Sequence, residues 1–117
     1  MQKLSLLALV LGLAFPGGAF AFGAIAIDDQ RGDVDPIYGF SVGQDSKADA
    51  KRVALEYCEE YGGTQCRTVV WFETCGAVAV SKRYYGYGYG RTKRKAVADA
   101  LEMCGKKQCQ IVAAECE

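Results

Sequence analysis

The 117-residue chain contains no histidine, which removes the most common general base and a frequent metal ligand. It also has no phosphate-binding glycine loop, no dinucleotide fingerprint and no Gly-x-Ser-x-Gly elbow. A Cys-x-x-Cys pair is missing too, and together with the missing histidine this argues against a structural zinc site. We therefore expect a protein without catalytic residues, cofactor or metal ion. An envelope enzyme that uses a pair of carboxylates is an alternative.

The chain also has no net charge, because 14 basic residues balance 14 acidic ones. Its long apolar run lies at the N-terminus. Lys3 precedes an apolar core at residues 4–15, and Ala-Phe-Ala at residues 19–21 fits a signal-peptidase site. The run is short for a membrane span, so we predict a cleaved secretory signal at residues 1–21; a retained membrane anchor is the alternative. The mature protein, residues 22–117, should be exported to the periplasm or the medium and have no membrane span.

The most informative feature that is present is an internal repeat. Gly-Ala-Ile-Ala-Ile in the first half corresponds to Gly-Ala-Val-Ala-Val in the second, and three further segments match in the same order. Residues 23–27 match 76–80, residues 38–43 match 85–90, residues 46–58 match 92–104, and residues 66–70 match 109–113. We therefore divide the mature chain into two units, residues 22–74 and 75–117, which have no linker between them and should pack as a single domain.

Each unit has the pattern strand, strand, helix, strand. The Gly-Ala runs are typical of short buried strands, and the next segment alternates large residues with Gly or Ser at period two. Ser46 and Thr92 are suitable N-caps. One face of the first helix is predicted to be apolar and to carry Ala50, Val53, Ala54, Tyr57, Cys58 and Tyr61. The sequence thus predicts an α+β fold, with two pseudo-symmetric strand-strand-helix-strand repeats packed as one disulfide-stabilised domain.

All six cysteines lie in the mature part, and an even number in an exported chain predicts a disulfide framework. Six cysteines allow fifteen pairings, but the repeat adds a constraint. Two cysteines of the first unit occupy positions equivalent to two of the second, so each unit should close its own helix-to-strand loop. The remaining two would join the ends of the units. The predicted pairs are Cys58–Cys66, Cys104–Cys109 and Cys75–Cys116.

Charge is unevenly distributed between the units. Residues 22–74 contain five basic and ten acidic side chains, whereas residues 75–117 contain eight and four. In residues 82–95 cations are interleaved with tyrosines, a composition that can bind phosphate or sulfate groups. The possible anion-binding residues are Lys82, Arg83, Arg91, Lys93, Arg94 and Lys95. The tyrosines match large core-forming residues of the first unit and are expected to pack in the core. Alternatively, the charges of the two units complement each other across a shared interface.

An acidic loop at residues 28–35 distinguishes the first unit from the second. Its carboxylates, Asp28, Asp29, Asp33 and Asp35, could surround a calcium ion, since hard cations favour clustered carboxylates. Their spacing does not match a calcium-loop motif, however. A solvated acidic loop is therefore the favoured interpretation, and cation binding is the alternative.

The combined pattern resembles a family of small exported bacterial proteins known as domain of unknown function 4189. The resemblance rests on Gly-Ala-Ile-Ala, then Tyr-Gly, then an alanine-rich helix ending in Cys, then Cys-x-x-Val-Val, and it covers nearly all of residues 22–117. It implies an exported, disulfide-bonded α+β domain and supplies no catalytic residues. The acidic loop replaces the glycine-rich first turn that is more common in the family.

These observations favour a secreted or periplasmic, non-catalytic binding module that acts through a protein partner. Loop edges and exposed aromatic side chains would make the contact, and inhibition of an enzyme is one possible outcome. The alternative is a binder of polyanions, such as anionic glycans or nucleic acid, that uses the basic segment at residues 82–95.

Overall fold

The computed structural model describes residues 21–105 and 108–117. The predicted signal segment, apart from Ala21, therefore lies outside the described residues. The elements of the described chain are β1 (Phe22–Asp28), β2 (Ile37–Gln44), α1 (Lys47–Glu60), β3 (Arg67–Phe72), β4 (Cys75–Val80), β5 (Tyr85–Gly90), α2 (Lys93–Cys104) and β6 (Gln110–Cys116). Neither of the helices in these ranges has the length and apolar character needed to cross a membrane.

The strands form two antiparallel sheets of three strands each. The order is β2-β1-β3 in the first sheet and β5-β4-β6 in the second. The Gly-Ala strands β1 and β4 are therefore the central strands, and both are almost entirely buried. A central strand that is covered on both faces requires a continuous apolar run, which explains their composition.

The two sheets pack face to face, and each helix covers the outer face of one sheet. Ile25 and Ile27 of β1 and Val78 of β4 meet Val70 and Phe72 in the layer between the sheets. The alanines at the alternate positions of β1 and β4 pack against α1 and α2 instead. This division follows from the period of two in a strand, and the resulting order of layers is helix, sheet, sheet, helix. The α+β class is thus confirmed.

Glycines on β2 and β5 allow the helices to lie directly on these strands. A Cβ atom at Gly39 would overlap with the backbone of α1 at Cys58, and one at Gly86 would overlap with the backbone of α2 at Cys104. The fully buried helix residues have small side chains at a spacing of four, namely Ala50, Ala54 and Cys58 in α1 and Ala96, Ala100 and Cys104 in α2. The glycine face of the alternating segments is therefore a helix contact.

Gly86→Ala is expected to destabilise the domain by about 3 kcal/mol, at the upper end of the usual cost of overpacking. The new methyl group would overlap with the amide nitrogen of Cys104 and the carbonyl oxygen of Ala100, and helix backbone cannot rotate away as a side chain can. Gly90→Ala is the matched control on the same strand, because the nearest neighbours of its methyl group would be atoms of the flexible Lys95 side chain, at 3.0 Å or more. Urea denaturation of both variants measures the difference. Equal losses would contradict the proposed close approach.

Both predicted N-caps are present. The Ser46 hydroxyl accepts a hydrogen bond from the Asp49 N–H at 3.0 Å, and the Thr92 hydroxyl accepts one from the Lys95 N–H at 3.1 Å. The predicted apolar face of α1 is wrong in part, because Tyr57 is 44% exposed and Tyr61 is 65% exposed. The helix lies so close to β2 that small side chains are the ones buried beneath it, and the two tyrosines lie exposed near its C-terminal end.

All six cysteines are paired in the structure. Two bridges, Cys58–Cys66 and Cys104–Cys109, each connect the end of a helix to the start of the following strand. The third bridge, Cys75–Cys116, connects the first residue of β4 to the last residue of β6, which are register partners in the second sheet. These are the three pairs that the comparison of the repeats selects.

Candidate functional site

The structure separates the six cations of the basic segment into two groups. Lys82 and Arg83 lie in the turn before β5, whereas the other four follow this strand at the start of α2. The six residues of β5 span roughly 17 Å at the usual rise of an antiparallel strand. Two of the cations have carboxylate partners: Lys82 Nζ is 3.5 Å from Asp33 Oδ1, and Lys95 Nζ is 2.8 Å from Asp99 Oδ2. The hydrogen bond that the Lys95 ammonium donates to the Asp99 carboxylate raises the pKa of Lys95.

Tyr85, Tyr87 and Tyr89 of β5 differ in burial, although they share one face of the strand. Tyr87 is half-buried and packs against the core between the sheets. Tyr85 is 44% exposed and Tyr89 is 60% exposed, so the expectation that all three pack in the core is wrong for these two. β5 is an edge strand of its sheet, and the core between the sheets covers only its middle.

A groove of about 540 Å³ lies between β3 of the first sheet and β5 of the second. Residues 69–74 form one wall, and the other wall consists of Tyr87, Tyr89, Gly90 and Arg91. We call this feature the β3–β5 groove. Its volume falls within the range that is usual for ligand-binding clefts. It brings together one cation and two aromatic residues of the basic segment with residues from the opposite sheet.

Trp71 and Glu73 are groove residues that sequence reasoning missed. Trp71 is held in place by Lys47, whose Nζ lies 4.2 Å from the centroid of the indole, and by Phe22, whose ring centroid is 6.2 Å away. A signal existed, because Ala114 occupies the position in the second unit that corresponds to Trp71. A position where the two copies differ in size and character is a candidate for a surface role.

At the opposite end of the molecule, charged residues connect the acidic loop to the second sheet. Arg67 Nη1 donates a hydrogen bond of 2.7 Å to Asp29 Oδ1, and its guanidinium lies 4.8 Å from the centroid of the Tyr85 ring. The hydrogen bond to Asp29 raises the pKa of Arg67 further. The Asp33–Lys82 pair joins the same two parts of the chain. Of these contacts, the Asp33–Lys82 ion pair and the Arg67–Tyr85 cation–π contact join the two halves of the chain, whereas Arg67 and Asp29 both belong to the first.

Asp28 has a structural role. It is 1% exposed, and its carboxylate accepts hydrogen bonds from the backbone N–H groups of Gln30 and Thr64 at 3.0 Å and of Gln65 at 3.2 Å. It thereby anchors the turn between α1 and β3 to the end of β1. The carboxylates of Asp28, Asp29 and Asp33 have separate partners, and no cluster of three or more potential metal ligands occurs within residues 21–105 and 108–117. The arrangement favours neither a calcium site nor a fully solvated loop.

Asp28→Asn is expected to cost about 2 kcal/mol at neutral pH, since hydrogen bonds to a charged acceptor are stronger than those to an amide. Burial raises the pKa of Asp28, but the backbone N–H groups of Gln30, Gln65 and Thr64 and the charge of Arg31 outweigh it, so the pKa lies below 3.8. The stabilisation is therefore present above the ordinary pKa and is lost as the pH falls through the lower folded-state value.

Urea denaturation between pH 2 and pH 7 tests this prediction. The difference between the wild type and Asp28→Asn should shrink as the pH falls below 3.8. Asp45→Asn, on an exposed residue before α1, is the matched control and should change stability by about 0.5 kcal/mol or less. A difference for Asp28→Asn that does not depend on pH would contradict the role assigned to the charge.

Residues 22–116 match the family described as Domain of unknown function (DUF4189). The chain belongs to this family. Protein Rv1269c of Mycobacterium tuberculosis is 33% identical over 87 residues, which are 74% of this chain and 64% of that protein. Uncharacterized protein Rv1813c of the same organism is 43% identical over 58 residues, 50% of this chain and 38% of that protein. The chain therefore spans less than two thirds of the length of these curated relatives.

The NMR structure of Rv1813c from Mycobacterium tuberculosis has a similar fold. It matches with a TM-score of 0.57 and 30% identity, and the match covers 84% of this chain and 76% of that chain. The family resemblance predicted from the sequence is thus confirmed. The family description specifies no activity, so the function of this DUF4189 protein has to be argued from its own surface.

Proposed function

We propose that this protein is an exported, non-catalytic binding module that contacts a protein partner through the β3–β5 groove. One observation carries the proposal: Tyr89 is 60% exposed, and it lines the groove together with Arg91. Tyrosine, tryptophan and arginine are the residues most enriched at the energetic centres of protein interfaces. Tyrosine and arginine side chains line this groove, and Trp71 borders it from the face of β3 that packs against α1. Inhibition of the partner, if it is an enzyme, is one possible consequence.

Export to the periplasm or the medium is part of the same proposal. Three disulfides in a small domain suit an oxidising compartment, because cytosolic reductants keep thiols reduced. The signal-like N-terminus supports the same location. We also propose that residues 22–74 and 75–117 arose by duplication, since both contain the order strand, strand, helix, strand and in both the first strand is central.

The polyanion-binding alternative has less support. Lys82 and Arg83 lie at the opposite end of β5 from the other cations, so the six residues do not form one patch. Lys82 and Lys95 are also paired with Asp33 and Asp99. Arg91 belongs to the groove, and we assign it to recognition of the protein partner.

Site-specific photo-crosslinking tests the proposed function. A benzoylphenylalanine in place of Tyr89 should crosslink one protein from envelope or secreted fractions in a stoichiometric complex. The same probe in place of Tyr61, which is 65% exposed at the C-cap of α1, is the matched control and should not capture it. Addition of unlabelled domain should compete with the crosslink. Absence of a specific product at Tyr89, or equal capture at both positions, would count against the proposal.

A further inference from the structure

We propose that the β3–β5 groove binds an extended peptide segment of its partner, which adds as a strand to the free edge of β3 and places a carboxylate on Arg91. This inference rests on the proposed function and specifies the chemistry of the partner. Three features of the groove carry it: the course of the groove along β3, the unpaired backbone of that strand, and the side chains of the facing wall.

The groove runs along the edge of β3 and not over one of its faces. Successive side chains of a strand point to opposite faces, so a pocket above one face contacts every second residue. Residues 69–72 of β3 line the groove without a gap, and the turn residues 73 and 74 continue the same wall. On the facing wall, by contrast, Tyr87 and Tyr89 of β5 are alternate residues of one face. A ligand in the groove therefore lies beside the backbone of β3 and against the rings of Tyr87 and Tyr89.

The backbone of β3 is available to such a ligand. β3 is the last strand of its sheet and pairs only with β1 among the described residues. The register is regular from Val70 to Phe72, after an irregularity that separates this part from the start of the strand. On the other wall, the Tyr87 N–H is directed at Met103 Sδ at 3.2 Å, so α2 covers that edge of β5. Of the two strands, β3 offers the hydrogen-bonding edge.

The side chains of the groove indicate the character of the peptide. Tyr87 and Tyr89 offer apolar ring surface, and we expect a large apolar side chain of the peptide to pack there. The Arg91 guanidinium has no carboxylate within ion-pair distance in the described part of the chain, and guanidinium forms paired hydrogen bonds with carboxylates. The carbonyl of Arg91 lies 3.9 Å from Cys75 Sγ, so the disulfide region supports this end of the groove.

Strand addition favours a peptide over a glycan. A glycan could stack on the tyrosines, but it has no repeating N–H and C=O groups that match those of a strand edge. An extended peptide satisfies the edge of β3 at a regular spacing and presents alternate side chains to the opposite wall. The groove therefore matches the periodicity of a peptide.

The first experiment selects ligands from a phage-displayed library of random twelve-residue peptides on the immobilised mature domain. Enriched peptides should contain an aspartate or glutamate at a fixed distance from an aromatic or aliphatic residue. Arg91→Gln should weaken their binding about tenfold, the effect expected for one charge-assisted hydrogen bond. Lys93→Gln removes a neighbouring cation that does not line the groove and should have less than a twofold effect. Tyr89→Ala, with Tyr61→Ala as its control, tests the aromatic wall in the same way.

The second experiment identifies the backbone contact. Each residue of a selected peptide is N-methylated in turn, which removes one N–H without altering the protein. Strand addition predicts about tenfold losses of affinity at every second position within the bound segment, because alternate N–H groups face β3. Uniform losses, or losses that follow only side-chain identity, would overturn the inference.

The outcomes separate the two proposals. If no random peptide is enriched, or if Arg91→Gln leaves binding unchanged, strand addition is wrong, while a protein crosslinked at Tyr89 would still support the proposed function. If neither peptides nor a crosslinked protein are found, both proposals fail. Both proposals would also be overturned if the domain bound glycans on an array, lost this binding in the Tyr89→Ala variant and bound no peptide.

Discussion

Phe72→Ala is expected to destabilise the domain by about 3–5 kcal/mol, the usual cost of removing a large aromatic side chain from a core. Phe72 is 2% exposed and belongs to the cluster between the two sheets. Its ring lies directly against Gly23 of the first sheet and Gly76 of the second, where a Cβ atom would overlap with it. The cavity in the variant would therefore open at the contact between the sheets.

Urea denaturation followed by circular dichroism measures this loss. Phe72→Leu retains most of the volume and should cost about 1.5 kcal/mol or less. Leu101→Ala, on the exposed flank of α2, removes an apolar side chain without opening a core cavity and should cost less than Phe72→Ala. A loss for Phe72→Ala that is no greater than that for Leu101→Ala would show that the two sheets do not depend on this contact.

Removal of the Cys75–Cys116 bridge by paired alanine substitution is expected to cost about 4 kcal/mol. The bridge links residues that are 41 apart in sequence, and the entropy that a crosslink removes from the unfolded chain increases with the length of the enclosed loop. This loop runs from the start of β4 to the end of β6 and contains β5 and α2 between them. Because Cys75 lies beside Arg91, the same variant should also weaken peptide binding in the groove.

The matched control is paired alanine substitution of Cys104 and Cys109 in the same half of the chain. These residues are only 5 apart in sequence, so the expected cost is about 2 kcal/mol. Thermal and urea denaturation of the two double variants should therefore rank them by loop length. Equal costs, or the reverse order, would show that local packing of the sulfur atoms dominates over chain entropy.

Local features of the fold could be predicted because each depends on neighbours in the sequence. The period of two in residues 38–43 and 85–90 indicates which face of the strand is small. The side chains of Ser46 and Thr92 reach backbone groups three residues away, so their capping role can be recognised without tertiary information. The internal repeat showed which cysteines occupy equivalent positions in the two units. The three disulfide pairs selected by this comparison are those in the structure.

The candidate site could not be predicted in the same way. The two walls of the β3–β5 groove, residues 69–74 and 87–91, become neighbours only when the sheets pack face to face. Tyr87 and Tyr89 have the same local pattern, yet one packs against the core and the other is mostly exposed, since burial depends on where the opposite sheet ends. Asp28 belongs to an acidic loop in the sequence, but its partners at residues 64 and 65 come from a distant turn.

The sequence by itself thus determined the strands and helices, the small-residue faces of the strands and the cysteine framework. Alternation and capping depend on residues close together in the chain, and the internal repeat can be recognised by comparing the chain with itself. The tertiary structure alone decided which aromatic side chains remain exposed, which cations come together and where a groove forms. These properties depend on the packing of two separate sheets, and no periodicity within a single strand or helix encodes the position of the other sheet.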